Sequence, residues 1–195
     1  MTENNHRQQQ AKVLRIFRKI HRTTGAFLFV FFFIVSITGL LLGWKKHSGG
    51  LILPKTYKGT SSDLKDWLPL DSLQTVALNI LRDSLPSGLS EELDRLDIRQ
   101  DKGIIKFVFT GHFYEIQLDG ATGQLLQIAV RRSDYIEKIH DGSILDYYLG
   151  TGNGEIKLVY TTIMGLALLT FTITGFWLWY GPKRMRKAAM PGNSV

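Results

Sequence analysis

Histidine is the side chain in this sequence whose chemistry best suits a cofactor. There are five, His6, His21, His47, His112 and His140, and no cysteine. Without thiols, disulfides, thiolate zinc sites, iron–sulfur clusters and cysteine nucleophiles are excluded. The sequence also lacks a nucleophile–base constellation, a phosphate-binding glycine loop and an H-E-x-x-H zinc motif. No catalytic residue is therefore assigned. A neutral imidazole can ligate haem iron, and two axial histidines suit a b-type haem that carries electrons. No metal is expected apart from such a haem iron.

What must position these rings is a chain of 195 residues, enough for one compact domain with accessory elements. Its 44% hydrophobic content is concentrated in two uncharged tracts. Thr23 to Trp44 would span about 33 Å as a helix and Leu158 to Gly181 about 36 Å, each enough to cross a hydrocarbon core of roughly 30 Å. The first tract is longer than a signal-peptide core, and no A-x-A-like cleavage site follows it before Lys45 and Lys46, so it reads as a retained helix.

The formal charge of +7 sits at the two ends. Arg7, Lys12, Arg15, Arg18, Lys19 and Arg22 precede the first span against Glu3 alone; Lys183, Arg184, Arg186 and Lys187 follow the second. Basic flanks at both outer ends place both termini in the cytoplasm and the middle outside, in a bacterial-type inner membrane. The expected partner is thus the lipid bilayer and not nucleic acid. Ser36, Gly39 and Gly43 form a small-residue face on the first span, as Thr161, Gly165 and Thr172 do on the second, for packing on each other or on another subunit.

On this plan His21 lies at the cytoplasmic end of the first span, while His47 and His140 lie near the outer surface. About 39 Å of helix separates His21 from His47, so they cannot share an iron. His47 with His140 is the one plausible pair within a monomer, and His21 needs a partner subunit. The plainer reading makes His21 and His47 interfacial residues near headgroups. His112 reads as a turn residue and His6 as part of a polar tail.

Between the spans, residues 45–66 read as linker, with Ser48-Gly-Gly50 and Gly59-Thr-Ser-Ser62. Asp71-Ser72 predicts a cap for a helix carrying Leu73, Val76, Ala77, Ile80 and Leu81. The period then changes to two, and strands are expected at Leu96–Ile98, Ile105–Phe109, Phe113–Leu118 and Gln124–Val130. The fold class is therefore two transmembrane helices plus a small extracytoplasmic α+β domain, a helix on an antiparallel sheet. The expected segments are a basic tail at 1–22, spans at 23–44 and 156–181, linker and domain at 45–132, an interfacial segment at 133–155, and a second tail at 182–195.

The helix and meander ending in Phe113-Tyr-Glu-Ile-Gln-Leu-Asp119-Gly-Ala-Thr-Gly-Gln-Leu-Leu126 resembles a PepSY domain. The flanks resemble the PepSY-associated transmembrane family, in which a His-Gly segment opens the first span and an Ile-Thr-Gly follows. Here these are His21-Arg-Thr-Thr-Gly25 and Ile37-Thr-Gly39. His140-Asp-Gly142 then precedes the last span, and Ile173-Thr-Gly-Phe-Trp177 closes it. The resemblance runs from about Lys19 to Tyr180, in a minimal two-span form. It implies an accessory of iron or siderophore uptake, and a haem-bearing ferric-reductase-like subunit that carries electrons.

Haem b would then be the cofactor, with His140, His47 and His21 as binding residues, Asp141 as a group supporting His140, and a homo-oligomer or partner membrane protein completing the site. The alternative is a non-catalytic anchored module whose PepSY-like domain binds or regulates a protein partner such as a peptidase.

The topology is checked by reporter fusions. A phosphatase fused at Gly103 should be active and one fused at Val195 inactive; the reverse pattern would refute the orientation.

Overall fold

The computed structural model describes residues 2–187, and side chains from 8 to 186. Its elements in chain order are α1 (Thr2–Gly43), α2 (Leu70–Ser84), β1 (Leu93–Arg99), β2 (Ile104–Phe109), β3 (Tyr114–Asp119), β4 (Leu125–Val130), α3 (Arg132–His140), α4 (Ser143–Leu149) and α5 (Glu155–Lys187). The chain divides into two units, one made of residues up to Ser36 and from Asp141 onward, the other of Ile37–His140.

In the first unit α1 and α5 run antiparallel. Leu14 faces Gly181, Phe17 stacks near Trp177, Phe171 lies against Gly25, and Phe31 meets Tyr160. Both helices turn large apolar side chains outward, including Phe27, Phe33, Leu158 and Leu166, as a lipid-facing surface requires. The basic stretch expected as a tail before Thr23 is helical, so α1 extends beyond its apolar tract; of the second tail, residues 188–195 lie outside the described residues.

Two glycines of the expected small-residue faces are open. Gly43 and Gly165 have no heavy atom near an added Cβ, and the Thr161 and Thr172 hydroxyls donate back to carbonyls of their own helix. Close approaches fall at Gly39 of the expected face and at Gly25, Gly175 and Gly181, where imidazoles, an aromatic ring and a leucine come in.

The second unit holds a four-stranded antiparallel sheet in the order β1-β2-β3-β4. Alternation sends Ile105, Phe107 and Phe109 of β2 with Ile116 and Leu118 of β3 to one face, where Leu73, Ala77 and Leu81 of α2 cover them. α2 starts slightly earlier than its expected cap: Pro69 is the N-cap, and Asp71 lies in the first turn, its carboxylate accepting from the Ser72 amide.

The opposite face is polar and also buried. Glu115 is 0% exposed, and Lys106, Gln117 and Asp119 line the same face of the sheet. The segment expected as linker covers this face. The Gln117 amide donates to the Lys55 carbonyl (2.7 Å), the Gly59 amide to the Lys102 carbonyl (2.7 Å), and the Thr60 amide to the Asp119 carboxylate (2.8 Å). Composition misled because glycine and serine mark flexible linkers and close-packed straps alike.

Arg131 closes the layer. Its guanidinium donates to Glu115 (2.6 Å) and Asp134 (2.9 Å), Lys106 approaches Glu115 at 3.2 Å, and Arg95 reaches Asp134 at 2.7 Å. Among the described residues no buried side-chain nitrogen or oxygen lacks a partner. Burial alone would raise the Asp134 carboxyl, but Arg131, Arg95 and the Ser133 hydroxyl outweigh it and hold it below its ordinary value.

A carboxyl held low contributes stability that is present above its unfolded pKa and is lost as pH falls through the folded one. Arg131→Met should cost on the order of 3 kcal/mol, since Glu115 keeps Lys106 while its other oxygen and Asp134 both lose the guanidinium. Asp134→Asn should destabilise the domain at neutral pH and flatten its loss of stability in acid. Amide hydrogen exchange of β2 and β3, followed by mass spectrometry, measures both.

Candidate functional site

Two histidines are held in the same way, one in each unit. His21, half-buried on α1, places Nδ1 2.9 Å from the hydroxyl of Thr174 on α5. Its ring stacks on Phe171 with centroids 3.8 Å apart. It also comes close to Gly175, where an added Cβ would stand 3.4 Å from Cε1.

His140, the last residue of α3, places Nδ1 2.9 Å from the hydroxyl of Thr38, and a Cβ added at Gly39 would likewise stand 3.4 Å from Cε1. Each Ile-Thr-Gly thus receives a histidine distant in sequence: Ile37-Thr-Gly39 takes His140, and Ile173-Thr-Gly175 takes His21.

The hydrogen-bond network assigns the tautomer of His21. A threonine hydroxyl has one proton, and that of Thr174 goes to the Thr170 carbonyl at 2.7 Å, the usual back-bond of a helical threonine. Its oxygen must then accept from His21, so Nδ1 carries the proton and, in the neutral ring, Nε2 keeps its lone pair. At Thr38 the hydroxyl stands at the same 2.9 Å from Nδ1 of His140. Thr174 is 2% and Thr38 7% exposed, so water competes little for either bond.

The other candidates are placed differently. His47 is exposed in a 3-10 turn, Lys45–His47, with its backbone amide bonded to Trp44; its ring is not hydrogen-bonded to His140 or to any other described residue. Asp141, expected to support His140, is instead engaged by the Lys157 ammonium at 2.5 Å and the Ser143 amide at 3.0 Å. His112 spends both ring nitrogens, Nε2–H on the Ser90 carbonyl and Nδ1 on the Tyr114 amide. Burial pushes its pKa below the ordinary value against the opposing Ser90 bond. It is a turn residue with no nitrogen left for a ligand. His6 lies outside the described side chains.

A family profile described as the PepSY-associated TM region matches residues 18–192, which include His21, His140 and both Ile-Thr-Gly segments. The chain belongs to the PepSY-associated TM region family. Neither a curated protein nor a solved structure matches it. In this PepSY-associated protein the threonines escaped sequence reasoning. Their signal was present, since Ile-Thr-Gly occurs once in each span, but nothing local says that the partner of each lies more than 100 residues away.

Thr174→Ser should preserve the Nδ1-protonated ring of His21, whereas the isosteric Thr174→Val should lose it. Side-chain ¹⁵N spectra of histidine-labelled protein in detergent distinguish the two tautomers. An unchanged His21 signal in Thr174→Val would refute the assignment.

Proposed function

We propose that this membrane protein binds haem b through Nε2 of His21 and of His140 and serves as the electron-transfer subunit of a ferric-siderophore-reductase-like system in iron uptake. The observation that carries this reading is the contact of each Nδ1 with a threonine hydroxyl, which for His21 leaves Nε2 bare. A ligating imidazole must present a bare nitrogen, and the orienting bond to its other nitrogen is the usual companion of metal ligation. Bound haem would supply reversible one-electron chemistry.

The chain's own part is orientation and shielding. Thr174 and Thr38 fix the rings, Gly175 and Gly39 admit them against the helix, and Phe171 covers one face of His21. Each site supplies one histidine, so the second axial ligand comes from another subunit at His21, and from His47 or another subunit at His140. This favours a homo-oligomer or a partner membrane protein. The basic flanks support a bacterial inner membrane, with both termini cytoplasmic and the sheet domain periplasmic.

A second reading draws on β4. Its six residues, Leu125–Val130, are all uncharged and form one edge of the sheet, where an extended segment of a partner protein such as a peptidase can add a strand. In that case the helices only anchor the module.

The absorption spectrum of protein purified from haem-replete cells decides between the two. A Soret band that weakens in His140→Ala and in His21→Ala is expected. No band in the wild type would refute haem binding and leave the partner-binding reading. A band unchanged in both variants would refute the ligands.

A further inference from the structure

At the basic end of the two spans a cavity of about 350 Å³ opens between α1 and α5, lined by Gln9, Val13, Leu14, Trp177, Arg184 and Met185. Gly181 makes the approach beside it, because a Cβ there would fall 2.5 Å from Leu14. We propose that this cavity binds the headgroup of an anionic phospholipid, with Arg184 on the phosphate and Trp177 and Leu14 against the glycerol and upper acyl carbons.

Charge selects the occupant. Residues 8–22 and 177–186 carry eight cations, Lys12, Arg15, Arg18, Lys19, Arg22, Lys183, Arg184 and Arg186, and no acid. A surface of this sign attracts an anion and opposes a second copy of itself. Lys183 is turned onto the Trp179 ring, 3.7 Å from its centroid, while Arg184 lines the cavity. A guanidinium grips phosphate with two parallel N–H bonds, which an ammonium cannot do.

The lining is otherwise amphipathic. Gln9 offers an amide to glycerol hydroxyls, and Trp177 places an indole where the apolar tract gives way to charge, the usual level of a membrane interface. The volume is many times what a single water needs, which leaves room for a phosphoglycerol headgroup.

The test transfers full-length protein from nanodiscs into mild detergent and counts retained phospholipid by native mass spectrometry. From phosphatidylglycerol discs the wild type should retain one lipid per chain, and from phosphatidylcholine discs none. Arg184→Gln should lower retention by about fivefold or more. Val13→Trp, which fills the cavity and leaves every charge in place, should lower it too. Lys12→Gln, a cation outside the cavity lining, should change it by less than about twofold because exposed charge is screened.

Unchanged retention in Arg184→Gln or Val13→Trp, or an equal loss in Lys12→Gln, would overturn the site. Displacement of the lipid by free glycerol 1-phosphate would assign the cavity to a soluble phosphoester and overturn the lipid. A lipid-free dimer would assign it to a second copy.

Discussion

The single proton of a threonine hydroxyl governs the site. Inside a helix that proton goes to a carbonyl of the preceding turn, as Thr174 gives its own to Thr170, and the oxygen is left with acceptor capacity only. A histidine packed against it must donate, and donation from Nδ1 fixes which nitrogen stays bare. The 2.9 Å bond also brings the ring against the helix, where Cε1 is the atom that approaches the residue after the threonine. Glycine occupies that place at 175 and at 39, where a Cβ would come into van der Waals contact with Cε1 at 3.4 Å.

The domain between the spans answers a different constraint. A strand in the middle of a sheet has two faces, and here both are buried, one against α2 and one against the strap that includes Lys55, Gly59 and Thr60. The α2 face is apolar and needs only shape. The strap face carries Glu115, Lys106 and Gln117, whose burial is tolerable only with every polar group paired, hence Arg131 and the carbonyl of Lys55. An unsatisfied member of such a layer costs more than its bond is worth, so the strap belongs to the domain.

How far the sequence revealed this depended on range. The spans, the change of period from helix to strand, and the turns at Gly103 and Asp119-Gly-Ala-Thr-Gly123 follow from neighbours a few residues apart, and they agree with β1–β4 to within a few residues. The strap was illegible because its reason lies some 60 residues away, at Gln117 and Asp119. His21 and His140 stood out by type. Their partners did not, because a threonine in a span reads as a small packing residue until the ring beside it is seen. Asp141 drew notice by adjacency to His140, yet its carboxylate serves Lys157 and the start of α4.

The crossed pairing has a mechanical consequence. α1 is continuous from Thr2 to Gly43, and it carries His21, which reaches the threonine of α5, as well as Thr38, which receives His140. A slip of one residue along a helix turns every side chain by about 100°. Such a slip of α1 against α5 would carry His21 away from Thr174, and the close fits at Gly25 and Gly181 hold that register against sliding. With no cysteine to form a disulfide, the two described spans rely on glycines where side chains must pass closely, and Gly175 lets in the ring of His21, which is held by one hydrogen bond and by Phe171.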